Sequence, residues 1–308
     1  MGGQKVKIRT RHAEQASTPR FVAAVSSSHN RDLRRGKEHI HTAAAIGCDA
    51  VKFQLFRLPE LFAPEALKDN PDLTARGNWE LPLEYLPELA LHARECGIEF
   101  GCTPFYIEAV AELEPYVHFF NIASYELLWR DLLRACARTG KPVVLSTGMA
   151  VLEEIDDAVK LLRKNGCRDL TLLHCVAAYP SPVELSNLAA MNTLRQRFPG
   201  VQIGWSDHSG SEAVIHRAVH AHRASMIECH LDLGGEKAEY GGHCWLPQAL
   251  HRVIQGVRLA LSAEGDGVKR PADGELTERE WRADPRDGLR PLRRMRAGLV
   301  RPRSKKPR

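Results

Sequence analysis

The chain has no CxxC pair among its eight cysteines, no apolar run long enough to cross a bilayer, no GxGxxG after its first apolar segment and no HExxH. Each absence removes a class of protein. Without paired cysteine spacing a structural zinc knuckle is excluded, and Cys48, Cys96, Cys102, Cys136, Cys167, Cys175, Cys229 and Cys244 are expected to be reduced, buried thiols. A membrane span needs about 20 apolar residues in a row, so none is expected. The opening MGGQKVKIRTRHAEQASTPR has no apolar centre of a secretory signal and carries Val6 where a myristoylation pattern has Ser or Thr. It reads as a flexible leader, residues 1–19, of a cytoplasmic protein. Positive charge is in slight excess, with a formal net charge of +5, but much of that excess lies in RRMRAGLVRPRSKKPR at Arg293 to Arg308. A terminal basic run without aromatics is a solvated end, so no nucleic-acid partner is expected.

What is present is a repeated alternation of short apolar runs and longer amphipathic stretches. FVAAV, DAVKFQL, IEFGCT, HFFNIA, PVVLST, LTLLHC, VQIGWS and SMIECH are each followed by a stretch of helical periodicity. Helices are expected over 31–46, 83–96, 107–113, 127–139, 152–164, 188–197, 211–222 and 246–262. Apolar runs of four to six residues without strict alternation are strands covered on both faces. Glycines just past the helix ends, as in ARTGKP and RKNGCRD, suit the left-handed residue that stops a helix. Eight strand-then-helix units over about 240 residues predict an α/β fold, a (β/α)8 TIM barrel at residues 20–264. An open doubly wound sheet is the weaker reading because its glycine fingerprint is missing. Residues 265–308 form a basic, partly disordered C-terminal extension.

The strand exits carry the chemistry. Ser26, His29, Lys52, Gln54, Thr103, Asn121, Ser124, Ser146, Thr147, His174, Tyr179, Ser206, Asp207, His208, Glu228 and His230 all fall at predicted C-terminal strand ends, which in this fold face the active-site mouth. So many polar groups are costly to desolvate unless they serve a ligand. Hydroxyls, an amide and a lysine suit an anion rich in oxygen, a phosphate or carboxylate with a polyol beside it. His208 and His230, on neighbouring strands, suit one divalent cation of the Mn, Fe, Co or Zn type. His216, His220 and His222 lack the glutamate of HExxH and are assigned to a solvated helix face.

DAVKFQ, GIEFGCTPF, NIAS, TGKPVVLSTGMAVLEEI, LLHCVAAYPSP, IGWSDHS and IECH, in this order, resemble the sialic acid synthase family over about Phe21 to Ala263. The resemblance implies a TIM barrel that condenses phosphoenolpyruvate with an N-acetylated amino sugar, in a dimer, for surface-glycan biosynthesis. It also implies a divalent metal, manganese foremost with Mg, Co or Zn as alternatives. By the resemblance, Lys52, Thr103, Ser124, Ser146 and Ser206 hold phosphoenolpyruvate, Gln54 and Tyr179 contact the sugar, and His208 and His230 hold the metal. Glu228 is assigned as general base or orienter, making Glu228, His230 and Lys52 the catalytic group.

The departures are specific. Ala24 stands where the family has a catalytic glutamate, Asn121 and Cys229 where it has lysines, Ala177 where a sugar-contacting asparagine is common and Gly242 where it has an aspartate. Glu236, Lys237 and Glu239 are candidates to replace the lost charge. The roughly 45 residues after the barrel are too few for the antifreeze-like domain that often follows it. Alternative readings are a metal-dependent lyase or aldolase acting on another oxoacid, and a sugar-phosphate-binding homologue with impaired catalysis.

Overall fold

The computed structural model describes residues 18–234 and 242–299. Glu236, Lys237 and Glu239 lie outside the described residues. Eight parallel strands close into a barrel in chain order: β1 (Arg20–Ala24), β2 (Ala50–Leu55), β3 (Glu99–Pro104), β4 (Phe119–Ile122), β5 (Val143–Ser146), β6 (Leu170–His174), β7 (Gln202–Asp207) and β8 (Met226–His230), with β8 pairing back to β1. This is the (β/α)8 barrel that the sequence predicts. Among the described residues, no helix is long and apolar enough to cross a membrane.

The helices begin and end where local chemistry requires. In α1 (Leu33–Ile46) the Asp32 carboxylate accepts from the Arg34 and Arg35 N–H groups at 2.9 and 3.2 Å, so the helix starts two residues later than the periodicity alone suggests. Gly47 closes it at φ 99°, a conformation open to glycine. Between β2 and the helix expected at 83–96 the periodicity predicts no helix, but the chain folds into α2 (Leu58–Leu61), α3 (Pro64–Asp69) and a 3-10 run, Pro71–Trp79, before α4 (Leu86–Glu95). Pro59, Pro64 and Pro71 each sit in a first turn, where the missing N–H costs nothing, and that signal was in the sequence. The remaining barrel helices are α5 (Glu108–Leu113), α6 (Arg130–Arg138), α7 (Leu152–Lys164), α8 (Ala190–Arg197), α9 (Glu212–His220) and α10 (Pro247–Ser262). His222 lies past the end of α9 and is buried, its Nδ1 3.1 Å from Asn192 Nδ2, so the solvated helix face expected for it is corrected.

Pleating sorts each strand into two faces. The outward residues, among them Phe53, Phe100, Phe120, Leu145, Leu172, Ile203, Trp205 and Ile227, pack under the helices in the main core. Inside, Val22, Ala50, Phe119, Val144, Leu173 and Met226 form a separate apolar plug. Two glycines make room for it. A Cβ on Gly101 would lie 2.2 Å from the Phe119 ring, and one on Gly204 would lie 2.5 Å from the Met226 carbonyl oxygen and 2.6 Å from Leu173 Cδ2. Gly204→Ala is therefore expected to cost about 1–3 kcal/mol through overpacking. Urea unfolding would check it, and an unchanged midpoint would contradict the close approach.

The described residues from Glu264 to Leu299 belong to a second compact unit. Its described part holds 3-10 turns at Asp273–Glu275 and Glu278–Trp281 and a helix, α11 (Arg293–Leu299). Asp287 pairs with Arg293 and Arg296, and Glu280 with Arg294, so basic residues of this segment have acidic partners within it.

Candidate active site

Above the apolar plug the same inward register becomes polar. Ala50 gives way on β2 to Lys52 and then Gln54; Gly101 on β3 to Thr103; Phe119 on β4 to Asn121; Val144 on β5 to Ser146; Gly204 on β7 to Ser206 and His208; and Met226 on β8 to Glu228 and His230. A period of two residues thus carries Lys52, Gln54, Thr103, Ser146, Ser206, His208, Glu228 and His230 to one lumen.

Lys52 is the hub. Its ammonium is 3.1 Å from Glu228 Oε2 and donates to Asn121 Oδ1 at 3.2 Å. Thr103 Oγ1 also donates to Asn121 Oδ1, at 2.8 Å, while Asn121 Nδ2 donates to the Val144 carbonyl. Ser206 Oγ donates to the other carboxylate oxygen of Glu228 at 3.0 Å. Lys52, Thr103, Asn121, Ser206 and Glu228 are all buried. Ser124 Oγ accepts from the Gly148 N–H at 2.9 Å and lies 3.3 Å from Cys175 Sγ.

Two imidazoles stand at the mouth. His208 Nδ1 lies 2.7 Å from the Val176 carbonyl, so Nδ1 carries the proton and Nε2 keeps its lone pair. His230 Nδ1 is 2.9 Å from Ser26 Oγ. The two rings are 5.3 Å apart between centroids, and the exposed Tyr179 ring packs 4.3 Å from His208. Burial pushes both histidines below the usual range, His230 furthest, with His208, Lys52 and His243 adding to the effect at His230. Neutral imidazole is the form that ligates a metal.

Three residues assigned to the mouth face elsewhere. Asp207 turns out of the lumen and is buried. It accepts from the indoles of Trp205 and Trp245 at 3.2 and 3.0 Å, from Ser209 Oγ at 2.6 Å and from the Gly210 N–H at 3.0 Å. His174 packs on Trp205 with its Nε2 on the Ser186 and Asn187 carbonyls, and His29 lies near Phe53 in the wall between β1 and α1. For Asp207 and His174 the outward direction follows from strand parity, which a list of strand-end residues does not apply, whereas His29 lies in the turn after β1.

The sequence reading missed two things. Glu126, on the turn after β4, has a buried Oε2 without a partner, and burial raises its carboxyl to about 7. His243 and Cys244 come beside His230, and the only signal for them in the sequence is the HC dipeptide next to Gly242.

The NeuB family model matches residues 39–269. This chain belongs to the NeuB family. It is 36% identical to the N,N'-diacetyllegionaminic acid synthase of Campylobacter jejuni, over 83% of this chain and 80% of that one. It is 37% identical to the pseudaminic acid synthase of Helicobacter pylori, over 70% and 66%. Among solved structures, the N-acetylneuraminic acid synthetase of Leptospira borgpetersenii superposes with a TM-score of 0.76 at 28% identity, covering 88% of this chain and 94% of that one.

For this NeuB-family chain the departures noted in the sequence fall in different places. Ala24 is paired in register with both Lys52 and His230, so its methyl faces the centre of the polar layer. Asn121 stands inside the Lys52 network, its Oδ1 accepting from both Lys52 and Thr103. Cys229 faces outward into the buried core, where its difference changes packing and leaves the lumen alone. Gly242 adopts φ 75° near Pro180, a backbone state that disfavours an aspartate there.

Proposed function

We propose that this chain joins C3 of phosphoenolpyruvate to the aldehyde carbon of an open-chain N-acetylated amino sugar or related aldehyde, releasing inorganic phosphate, in surface-glycan biosynthesis. The observation that best supports this is the meeting, in one lumen, of an anion cradle around Lys52 with the neutral imidazoles His208 and His230. In this reading Lys52, Thr103, Ser124, Ser146 and Ser206 hold the phosphate and carboxylate, and Gln54 and Tyr179 contact the sugar. His208 and His230 would hold a divalent metal, which when bound would supply Lewis acidity.

Without substrate, Glu228 is the counter-ion of Lys52 and the acceptor of Ser206. An entering phosphoenolpyruvate competes for the same ammonium and hydroxyl, which frees the carboxylate within the lumen. The C3 to aldehyde bond forms from the enol electrons, and the aldehyde oxygen becomes a hydroxyl by taking the proton that Glu228 receives from the attacking water. Water then adds at C2 and gives one proton to Glu228. The bond from C2 to the phosphate oxygen breaks, the C2 hydroxyl proton leaves with inorganic phosphate, and a ketone remains.

Phosphate release from phosphoenolpyruvate, measured with a panel of N-acetylated sugars and with Mn, Mg, Co or Zn, tests the reading. Release that depends on both substrates is expected. His208→Ala and His230→Ala are each expected to lose stoichiometric metal while keeping the fold. Binding of phosphoenolpyruvate with no release for any aldehyde would instead favour a sugar-phosphate-binding homologue, and release without an aldehyde would favour a lyase.

A further inference from the structure

The loop after β8 returns to the barrel at Trp245. The Trp245 N–H donates to the His230 carbonyl at 2.7 Å, the Asp232 N–H donates to the Trp245 carbonyl at 3.0 Å, and the Trp245 indole donates to Asp207 at 3.0 Å. These bonds tie the end of the loop to both β7 and β8, and Leu231 and Trp245 form a short parallel bridge. The two residues before Trp245 are therefore held against His230. The His243 ring lies 5.0 Å from the His230 ring and 5.2 Å from Tyr179, and Cys244 Sγ is 3.5 Å from His243 Nε2. One donor atom from each of His230, His243 and Cys244 lies within 4.8 Å of the others, and His243 Nδ1 is buried without a hydrogen-bond partner.

We infer that His243 and Cys244 join His230 in binding the metal, so that a thiolate enters the ligand set and selects zinc or cobalt over manganese and magnesium. This rests on the reading of His230 as a metal ligand. The fit is chemical and geometric. Zn–N bonds of about 2.0–2.1 Å and Zn–S bonds of about 2.3 Å place tetrahedral donors roughly 3.3–3.7 Å apart. The spread within this cluster narrows to that range by side-chain rotation of His243 and Cys244. Together with His208 the cluster gives three imidazoles and one thiolate, and a substrate oxygen would bind by the expansion to five ligands that zinc sites make during catalysis. Thiolate is a soft donor that suits zinc, whereas manganese and magnesium favour oxygen. Gly242 and Ala24, which remove carboxylates from this end of the lumen, change the donors in the same direction.

The test uses the full chain, stripped of metal with a chelator and kept reduced, and the metal ion alone as probe. Titration with Co(II) is expected to give one equivalent bound with an intense thiolate-to-cobalt charge-transfer band in the near ultraviolet. Cys244→Ser is expected to lose that band while keeping its circular dichroism, and to weaken zinc binding by on the order of 100-fold or more. His243→Gln is expected to weaken zinc binding in the same way, and zinc is expected to displace manganese from the wild-type chain. Cobalt bound without the band, or zinc held as tightly by Cys244→Ser as by wild type, overturns the thiolate ligand and leaves the proposed reaction standing. A thiolate band in a protein that releases no phosphate does the reverse.

Discussion

Lys52→Met is expected to lower the unfolding free energy by about 3–5 kcal/mol and to abolish any phosphoenolpyruvate-dependent phosphate release. Lys52 and Glu228 have side chains only 6% and 4% exposed, with a nitrogen to oxygen distance of 3.1 Å. Removing one partner of such a buried pair leaves the other charge with neither water nor a counter-ion, and that desolvation cost dominates. The double variant Lys52→Met with Glu228→Gln removes both charges and keeps an amide to accept from Ser206. It should recover most of the lost stability, because an isosteric neutral replacement of a buried pair is often close to neutral. Phosphate release should not recover, since the anion cradle has lost its ammonium. Urea unfolding of the wild type, both single variants and the double variant forms a complete cycle. A coupling energy near zero would show that the contact does not hold in solution, and activity in the double variant would remove Lys52 from the reaction.

The second large effect is on acid stability. His29 and His39 are 1% and 0% exposed, and burial lowers both from 6.5 to about 4. Arg31 adds to the shift at His29, and at His39 the bond to the Ser28 carbonyl works against it. A histidine whose folded pKa is depressed binds its proton in the unfolded chain first. Between about pH 6.5 and pH 4 the unfolded state therefore holds more protons, and stability falls as the pH is lowered through that window. At 1.36 kcal/mol per unit each histidine contributes on the order of 3 kcal/mol to the loss, enough to unfold a domain of ordinary marginal stability. Below about pH 4 both groups titrate in the folded state as well, and their share of the slope vanishes. His39→Gln keeps a donor for the Ser28 carbonyl but cannot titrate. Its slope of unfolding free energy against pH should be shallower than wild type by close to one proton between pH 6.5 and 4. Equal slopes would contradict the assignment.

Much of the barrel was legible because it depends on local terms. Strand runs such as VVLS and LTLLH are apolar on both faces since helices cover one side and the lumen plug the other, and the exact span of α7 follows from its amphipathic period. The short helices after β2 escape the periodicity because α2 and α3 are only one or two turns long and Pro71–Trp79 is a 3-10 run without the 3.6-residue period, although their prolines announce them. In the site, Lys52, His208 and His230 were readable as polar residues closing apolar runs. Asp207 and His174 met the same description and face the other way, because the strand exit alone does not say which side of the pleat a residue takes.

By itself the sequence determined the number and order of the strand-helix units, the lumen-facing set on each strand once parity is counted, and membership of a family, since all of these rest on short-range pattern. The tertiary structure alone decided which distant residues share charge and donors. Lys52 has its counter-ion on β8, with no carboxylate at Ala24 on the neighbouring strand, and the return of the segment that follows β8 brings His243 and Cys244 back to His230. Barrel closure is the physical reason. It places β1 beside β8 and strands far apart in sequence across one narrow lumen, and no local term in the chain encodes a distance across that space.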